Sequence, residues 1–340
     1  MAQQQVGIGL IGAGRIGTSH ARLISERVPG AHLAAVADPR PGAAAVITDE
    51  LGGTPYVSPT DLVNATDVDA VVIAASSVVH AELIELAAGA SKPAFCEKPM
   101  GMDLAEVDRG IAAAEHAGVA LQVGFNRRFD RGFAAAHDAV ASGQLGEIQL
   151  LRSLTRDPGL ANPGAVPPWT IFTQTLIHDF DTLNWLNPEA EPVEVYATAD
   201  ALIAPDYKDN GLLDTAVVVI TYSNGARAVA EASLSAAYGY DVRGEVFGSQ
   251  GMITIGDGAR SSARRFTATG AAYDTARSDT ELLLDAYVGE FVEFTAAVRQ
   301  SRPPAVTGTD ARRALAIAMA CIESVQNHAP ATVAALAGAR

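Results

Sequence analysis

The sequence predicts two domains of different class: an α/β domain built on a doubly wound parallel sheet, then an α+β domain with a mostly antiparallel sheet. Three observations predict this. The chain opens on an apolar strand that runs into Gly12-Ala13-Gly14-Arg15-Ile16-Gly17 and a helix pattern. Strand and helix signals then alternate to about residue 125, the rhythm of βαβ units. Beyond Asn126 the rhythm gives way to strands of period-2 or apolar character separated by turn signals.

The first strand, residues 6–11, meets the glycine turn that a dinucleotide fingerprint requires, so the first domain reads as a Rossmann domain. Gly12 permits the tight turn, Gly14 lets the backbone approach a pyrophosphate, and Gly17 allows close helix–strand packing. Arg15 and Ile16, between the glycines, join the same cofactor-binding set. The helix that follows points its N–H groups and positive dipole end at the phosphates. A second apolar strand, residues 33–37, ends at Asp38, 21 residues beyond Gly17. An acid there hydrogen-bonds a ribose 2′-hydroxyl and repels a 2′-phosphate, which favours NAD. Arg40, just past it, can receive a 2′-phosphate and leaves NADP open as a second cofactor.

A helix and a short strand near residues 55–57 come next. Residues 69–74 read as the continuous apolar strand of a parallel sheet. A helix over 78–89 and a strand over 94–96 follow. A further helix from Asp103 to Gly118 takes Asp103 as N-cap with Glu106 three residues on, and residues 119–123 close the sheet. The second domain begins with a helix over 131–142. Strands are expected at 148–154, 193–199, 216–222, 226–233, 242–247 and 252–255, and turns such as Ser223-Asn224-Gly225 predict antiparallel neighbours. The expected division is a dinucleotide-binding domain over 1–125 and a substrate-binding and oligomerisation domain over 126–308. A C-terminal helical segment over 309–340 is expected to pack back on the domain faces.

Composition narrows the function. The 340 residues exceed one typical domain, and 49% hydrophobic with 19% charged residues suits a globular protein. A net charge of −15 without a Lys/Arg stripe excludes broad nucleic-acid binding and argues against an anionic membrane surface. No apolar run is long enough to span a bilayer, and the N-terminus lacks the features of a secretory signal. Cys96 and Cys321 have no metal-like spacing, so no metal is expected and the pair reads as free thiols of a cytoplasmic protein.

In such a two-domain chain the substrate is expected at the carboxyl ends of the parallel strands, and three segments bear on it. Cys96-Glu97-Lys98-Pro99 ends a strand, and Pro99 biases Lys98 away from helical geometry. Lysine occurs only at Lys92, Lys98 and Lys208, so one at a strand end is less easily a casual surface choice. Asn126-Arg127-Arg128 follows the last parallel strand; Asn126 suits a hydroxyl, and the arginines can bind a polar ligand or brace the domains. In the third segment, at 100° per residue along one helix, Gln174, His178, Asp181 and Trp185 share a face opposite Leu176, Phe180 and Leu183.

The glycine turn, Glu97-Lys98-Pro99, the run from Gly124 to Asp130 and Ile177-His178-Asp179-Phe180-Asp181 together resemble the Gfo/Idh/MocA oxidoreductases, most of all myo-inositol 2-dehydrogenases, over essentially the whole chain. The resemblance implies NAD(H) or NADP(H), a sugar or cyclitol substrate, and dimers or tetramers formed through the sheets. It implies Lys98 and His178 as catalytic residues and Asp181 as a substrate-contacting acid. Asn126, Asp157 and Tyr238 or Tyr240 are placed near substrate, and Ser76, His80 and Glu97 near the cofactor. One departure stands out: where the family usually carries an aspartate that pairs with the lysine, this chain has Gln174, which cannot ionise. The expected chemistry is oxidation of a secondary hydroxyl, with His178 as general base and Lys98 stabilising the alkoxide. An NAD-dependent glycosidase using transient oxidation and a non-enzymatic NAD-binding sensor are the alternative readings.

Overall fold

The computed structural model describes residues 5–160 and 162–335. The ends of the expected 1–125 and 309–340 segments, and residue 161, lie outside the described residues. The chain divides into two compact units, one running to Asn126 and taking in Tyr287–Arg312, the other holding Arg127–Ala286 and the chain from Arg313 onward.

The first unit alternates strand and helix. Its elements are β1 (Val6–Ile11), α1 (Arg15–Arg27), β2 (Ala31–Ala37), α2 (Ala43–Leu51), β3 (Thr54–Tyr56) and α3 (Pro59–Val63). They continue through β4 (Ala70–Ile73), α4 (His80–Gly89), β5 (Ala94–Cys96), α5 (Leu104–Ala117) and β6 (Leu121–Val123). All six strands are parallel, in the order β3-β2-β1-β4-β5-β6. This is the dinucleotide-binding order, with its switch point between β1 and β4. β1 and β4 are buried along their whole length, as a sheet covered on both faces demands. At α5 the Asp103 carboxylate accepts from Glu106 N–H while Glu106 reaches back to Met102 N–H, a reciprocal cap of the expected kind.

The second unit opens with α6 (Arg131–Ala141) and β7 (Ile148–Arg156), then α7 (Ile177–Trp185), β8 (Pro192–Asp200) and β9 (Thr215–Tyr222). It continues with β10 (Arg227–Ser233), β11 (Asp241–Gly248), β12 (Met252–Ile255) and a small hairpin of β13 (Arg265–Thr267) and β14 (Gly270–Ala272). Beyond the hairpin the chain forms α8 (Asp279–Leu282), α9 (Leu284–Gln300), α10 (Gly308–Asn327) and β15 (Ala331–Thr332). The sheet order is β12-β11-β7-β10-β9-β8-β15, antiparallel except for β7 with β10. That one parallel pair is possible because α7, β8 and β9 intervene in the chain, and no hairpin could make it.

The compact units divide the chain differently from the expected 126–308 segment. Residues 287–312 belong with the parallel sheet, because Gln122 Nε2–H bonds the Glu290 carbonyl (2.8 Å) and Val123 N–H bonds the Val306 carbonyl (3.2 Å). Phe291 and Phe294 also pack on Phe95, with ring centroids 4.8 and 6.0 Å away. Among the described residues no helix is long and apolar enough to cross a membrane.

Candidate functional site

Each unit presents its own set of the expected residues. In the first, Gly12 turns at φ +106°, and a Cβ on Gly17 would strike the Gly12 carbonyl oxygen, so α1 starts hard against the end of β1. Gly14 caps α1 with no side chain bonding its first N–H groups, and a Cβ there would meet nothing within 4 Å. Arg15 is exposed and Ile16 half-buried beside it. Open space over an uncapped helix N-terminus is what a pyrophosphate needs, so these residues fit a dinucleotide.

Asp38 follows β2. Its Oδ2 accepts from Ala13 N–H and from the Arg40 guanidinium, each at 2.8 Å, and its Oδ1 accepts from Arg40 N–H and Nε–H at 2.9 Å. The Arg40 bond outweighs burial and lowers the Asp38 carboxyl to about 2. An ionised Asp38 with an arginine beside it that is 64% exposed suits the adenosine ribose of NAD.

At the exits of β4 and β5, Ser76 is exposed and His80 is buried. The His80 ring faces two carbonyls, Pro99 at 2.8 Å and Ala75 at 3.1 Å, and thus ties the Lys98-Pro99 segment to the neighbouring loop. Burial outweighs those carbonyls and lowers the His80 pKa. Lys98 is half-buried and joined to Pro99 by a cis peptide. Glu97 Oε1 lies 2.6 Å from His20 Nε2, and Glu97 Oε2 accepts the Lys98 N–H at 3.2 Å. Asn126 is 2% exposed, and its Oδ1 has no hydrogen-bond partner among the described residues.

In the second unit the helix expected over 174–186 is broken. Residues Ile171–Thr175 form a π-helix, in which Leu176 N–H bonds the Ile171 carbonyl at 2.8 Å, and α7 begins only at Ile177. The wider turn breaks the 100° register on which the shared face was drawn, a distortion common at functional positions. Between Ile171 and Asn184 only Gln174 and His178 escape burial. Those two expected residues are the ones this segment presents.

The others separate. Asp181 is 1% exposed and accepts from Arg128 through Nε (2.9 Å) and Nη2 (2.6 Å), so in the fold it is the partner of an arginine. A buried carboxylate of this kind needs its partner. Arg128 also lies over Trp185, which stacks on His137. Arg127 is equally internal, 1% exposed, donating to Asp179 (2.7 Å) and Thr155, so it braces the unit. Asp157 is half-buried, its Oδ2 3.5 Å from the Thr175 hydroxyl.

The tyrosines also divide. Tyr238 is 45% exposed and donates to Asp241 (2.8 Å), which pairs in register with Arg156. Arg156 alternates with Thr155, so this is the sheet face opposite the one where Thr155 and Ser153 hold Asp179 of α7. Tyr240 is buried beside Arg127, and burial raises its hydroxyl pKa. On α7's side of the sheet the tyrosine is therefore Tyr240, in place of Tyr238.

Sequence reasoning missed His20 and Glu290. Both sit in the buried stripe of an otherwise amphipathic helix: His20 with Gly17, Ala21 and Ile24, and Glu290 with Tyr287, Phe291 and Phe294. A polar residue at such a position was the available signal.

The comparisons agree with this geometry. Residues 6–125 match the Gfo/Idh/MocA model of an oxidoreductase family with an NAD-binding Rossmann fold, and residues 133–254 match the family's C-terminal domain. The chain is 38% identical to a myo-inositol 2-dehydrogenase of Thermotoga maritima, over 94% of this chain and 96% of that protein. It is 37% identical to an inositol 2-dehydrogenase of Rhizobium meliloti, over 97% and 99%. A crystal structure of scyllo-inositol dehydrogenase from Lactobacillus casei, with bound NAD(H) and scyllo-inositol, superposes with a TM-score of 0.93 at 27% identity, covering 98% of this chain and 100% of that one. With the parallel-strand order, the glycine turn and Asp38, these matches place the chain in the Gfo/Idh/MocA family of NAD-dependent oxidoreductases.

Proposed function

We propose that the protein oxidises a secondary hydroxyl of an inositol or closely related cyclitol. The observation that carries this reading is Gln174 and His178, the two side chains that segment 171–184 leaves unburied, in a chain whose relatives include inositol dehydrogenases. Bound NAD supplies the hydride acceptor. His178 takes the hydroxyl proton as general base, since imidazole titrates near working pH. Lys98 is the group that stabilises the developing alkoxide charge by hydrogen bonding. Asn126, Asp157 and Gln174 orient the remaining hydroxyls. Gly12, Gly14 and the first turn of α1 hold the pyrophosphate, and Asp38 holds the ribose.

The active assembly in this reading is a homodimer or homotetramer formed through the sheet of the second unit. On the face away from α7, Leu150, Tyr196, Val217, Val219, Phe247 and Met252 are each 39–55% exposed. Six exposed large apolar side chains on one sheet face, beside the Arg152–Glu231 ion pair, support a surface that another copy covers. The buried free thiols Cys96 and Cys321 support a cytoplasmic location.

Measuring NADH formation across inositol isomers, pyranoses and glycosides tests the function. Turnover is expected with at least one inositol. Sugar release from a glycoside without NADH accumulation would replace this reading with the glycosidase alternative, and NADH binding without any turnover would replace it with a sensor.

A further inference from the structure

Buried polar groups outside the proposed chemistry gather at one point of the first unit. His20 on α1, Glu97 after β5 and Glu290 on α9 bring donor atoms within 4.8 Å of one another. Phe95, Tyr287 and Phe291 wall the cluster, with centroids 6.1, 5.9 and 4.8 Å from the His20 ring. The two carboxyl groups are treated unequally. Glu97 accepts from His20 on Oε1 and from the Lys98 N–H on Oε2. Room for it comes from Gly124, where a Cβ would lie 3.3 Å from Glu97 Oε2. Glu290 is 0% exposed, and neither of its oxygens has a hydrogen-bond partner among the described residues.

We propose that Glu97 is the fixed anion that positions Lys98 and keeps its ammonium charged, while Glu290 is a carboxylic acid held neutral behind it. Two carboxylates this close in an aromatic surround cannot both ionise without a compensating cation. The one with two donors keeps the charge. Facing Glu97 are His20 from α1, His80 from α4, Cys96 and Lys98 on its own segment, and Glu290 from α9, while Gly124 just after β6 adds no charge. Burial raises the Glu97 carboxyl, but the hydrogen bond with His20 and the neighbouring charge of Lys98 act against it and it stays below the usual range. Burial and the Glu97 charge push Glu290 well above that range. The inference rests on Lys98 being the catalytic lysine, and gives Glu97 the charge-holding role that Gln174 cannot fill.

Because lysine occurs at only three positions, reductive methylation with 13C-formaldehyde followed by NMR titration reads Lys98 directly. A Lys98→Ala protein assigns its resonance. Glu97→Gln should lower the Lys98 titration midpoint by about one unit or more, the usual effect of removing an adjacent opposite charge. Glu290→Gln, which mimics the neutral acid, should leave it within a few tenths of a unit. A third protein, Glu97→Asp, keeps the charge and should titrate near wild type, so the charge is read apart from any effect on folding. An unmoved midpoint in Glu97→Gln, an equal shift in Glu290→Gln, or one equivalent of divalent metal in the purified protein would overturn the proposal. The titration needs no substrate, so a wild type inactive on every inositol defeats the functional reading without touching this result.

Discussion

A lysine or a histidine gains a chemical role only through its neighbours, and here those neighbours are specific. Replacing Lys98 with Ala is expected to cut kcat by about 10²–10⁴-fold while NADH affinity, measured by fluorescence, stays within about threefold. Loss of affinity without loss of turnover would reassign the residue to cofactor binding. Gln174→Asp adds a carboxylate four residues before His178. In the proposed active site it should favour the lysine ammonium and move the alkaline limb of the pH–rate profile upward; an unmoved limb removes Gln174 from that role. At His80 the folded pKa is depressed by burial. Its contribution to stability is therefore present above the ordinary histidine value of about 6.5 and lost as pH falls through it. Thermal melts of His80→Gln should lack that acid-side decline near pH 6, and a parallel decline in both proteins would assign it elsewhere.

The elements set which polar residues brace and which remain for chemistry. Arg127, Asp179, Ser153 and Thr155 form a network inside the second unit that fastens α7 to β7. Asp179→Asn leaves the Arg127 charge buried without its counter-ion. Urea unfolding should show a loss of about 3–5 kcal/mol, and a loss below about 1 kcal/mol would mean that the pair is not a brace. The Asp103 cap of α5 was readable because the Asp-x-x-Glu spacing is local. The π-helical turn before His178 was not, since periodicity assumes 3.6 residues per turn everywhere. Nor were the ion pairs of Arg127 and Asp181, whose sequence contexts look alike for an exposed residue and a buried one. Only their burial and partners separate the two.

For the molecule as a whole, the open face of the second unit's sheet is the feature that bears on assembly. Val217 and Val219 lie on β9 in register with Thr198 and Tyr196 of β8, all on that face. Val219→Lys should shift the mass measured by multi-angle light scattering toward the monomer, and an unchanged oligomer would locate the contact elsewhere. The sequence alone determined the parallel sheet, the glycine turn with Asp38, and the strand-end placement of Lys98. Each depends on a short run of residues whose backbone requirements are local. Tertiary structure alone decided that residues 287–312 return to the first unit, that β7 pairs parallel with β10, and that Tyr240 and not Tyr238 lies on α7's side. It also decided that His20 and Glu290 surround Glu97. Those outcomes depend on contacts between residues far apart in the chain, where burial and available partners decide which groups keep their charge.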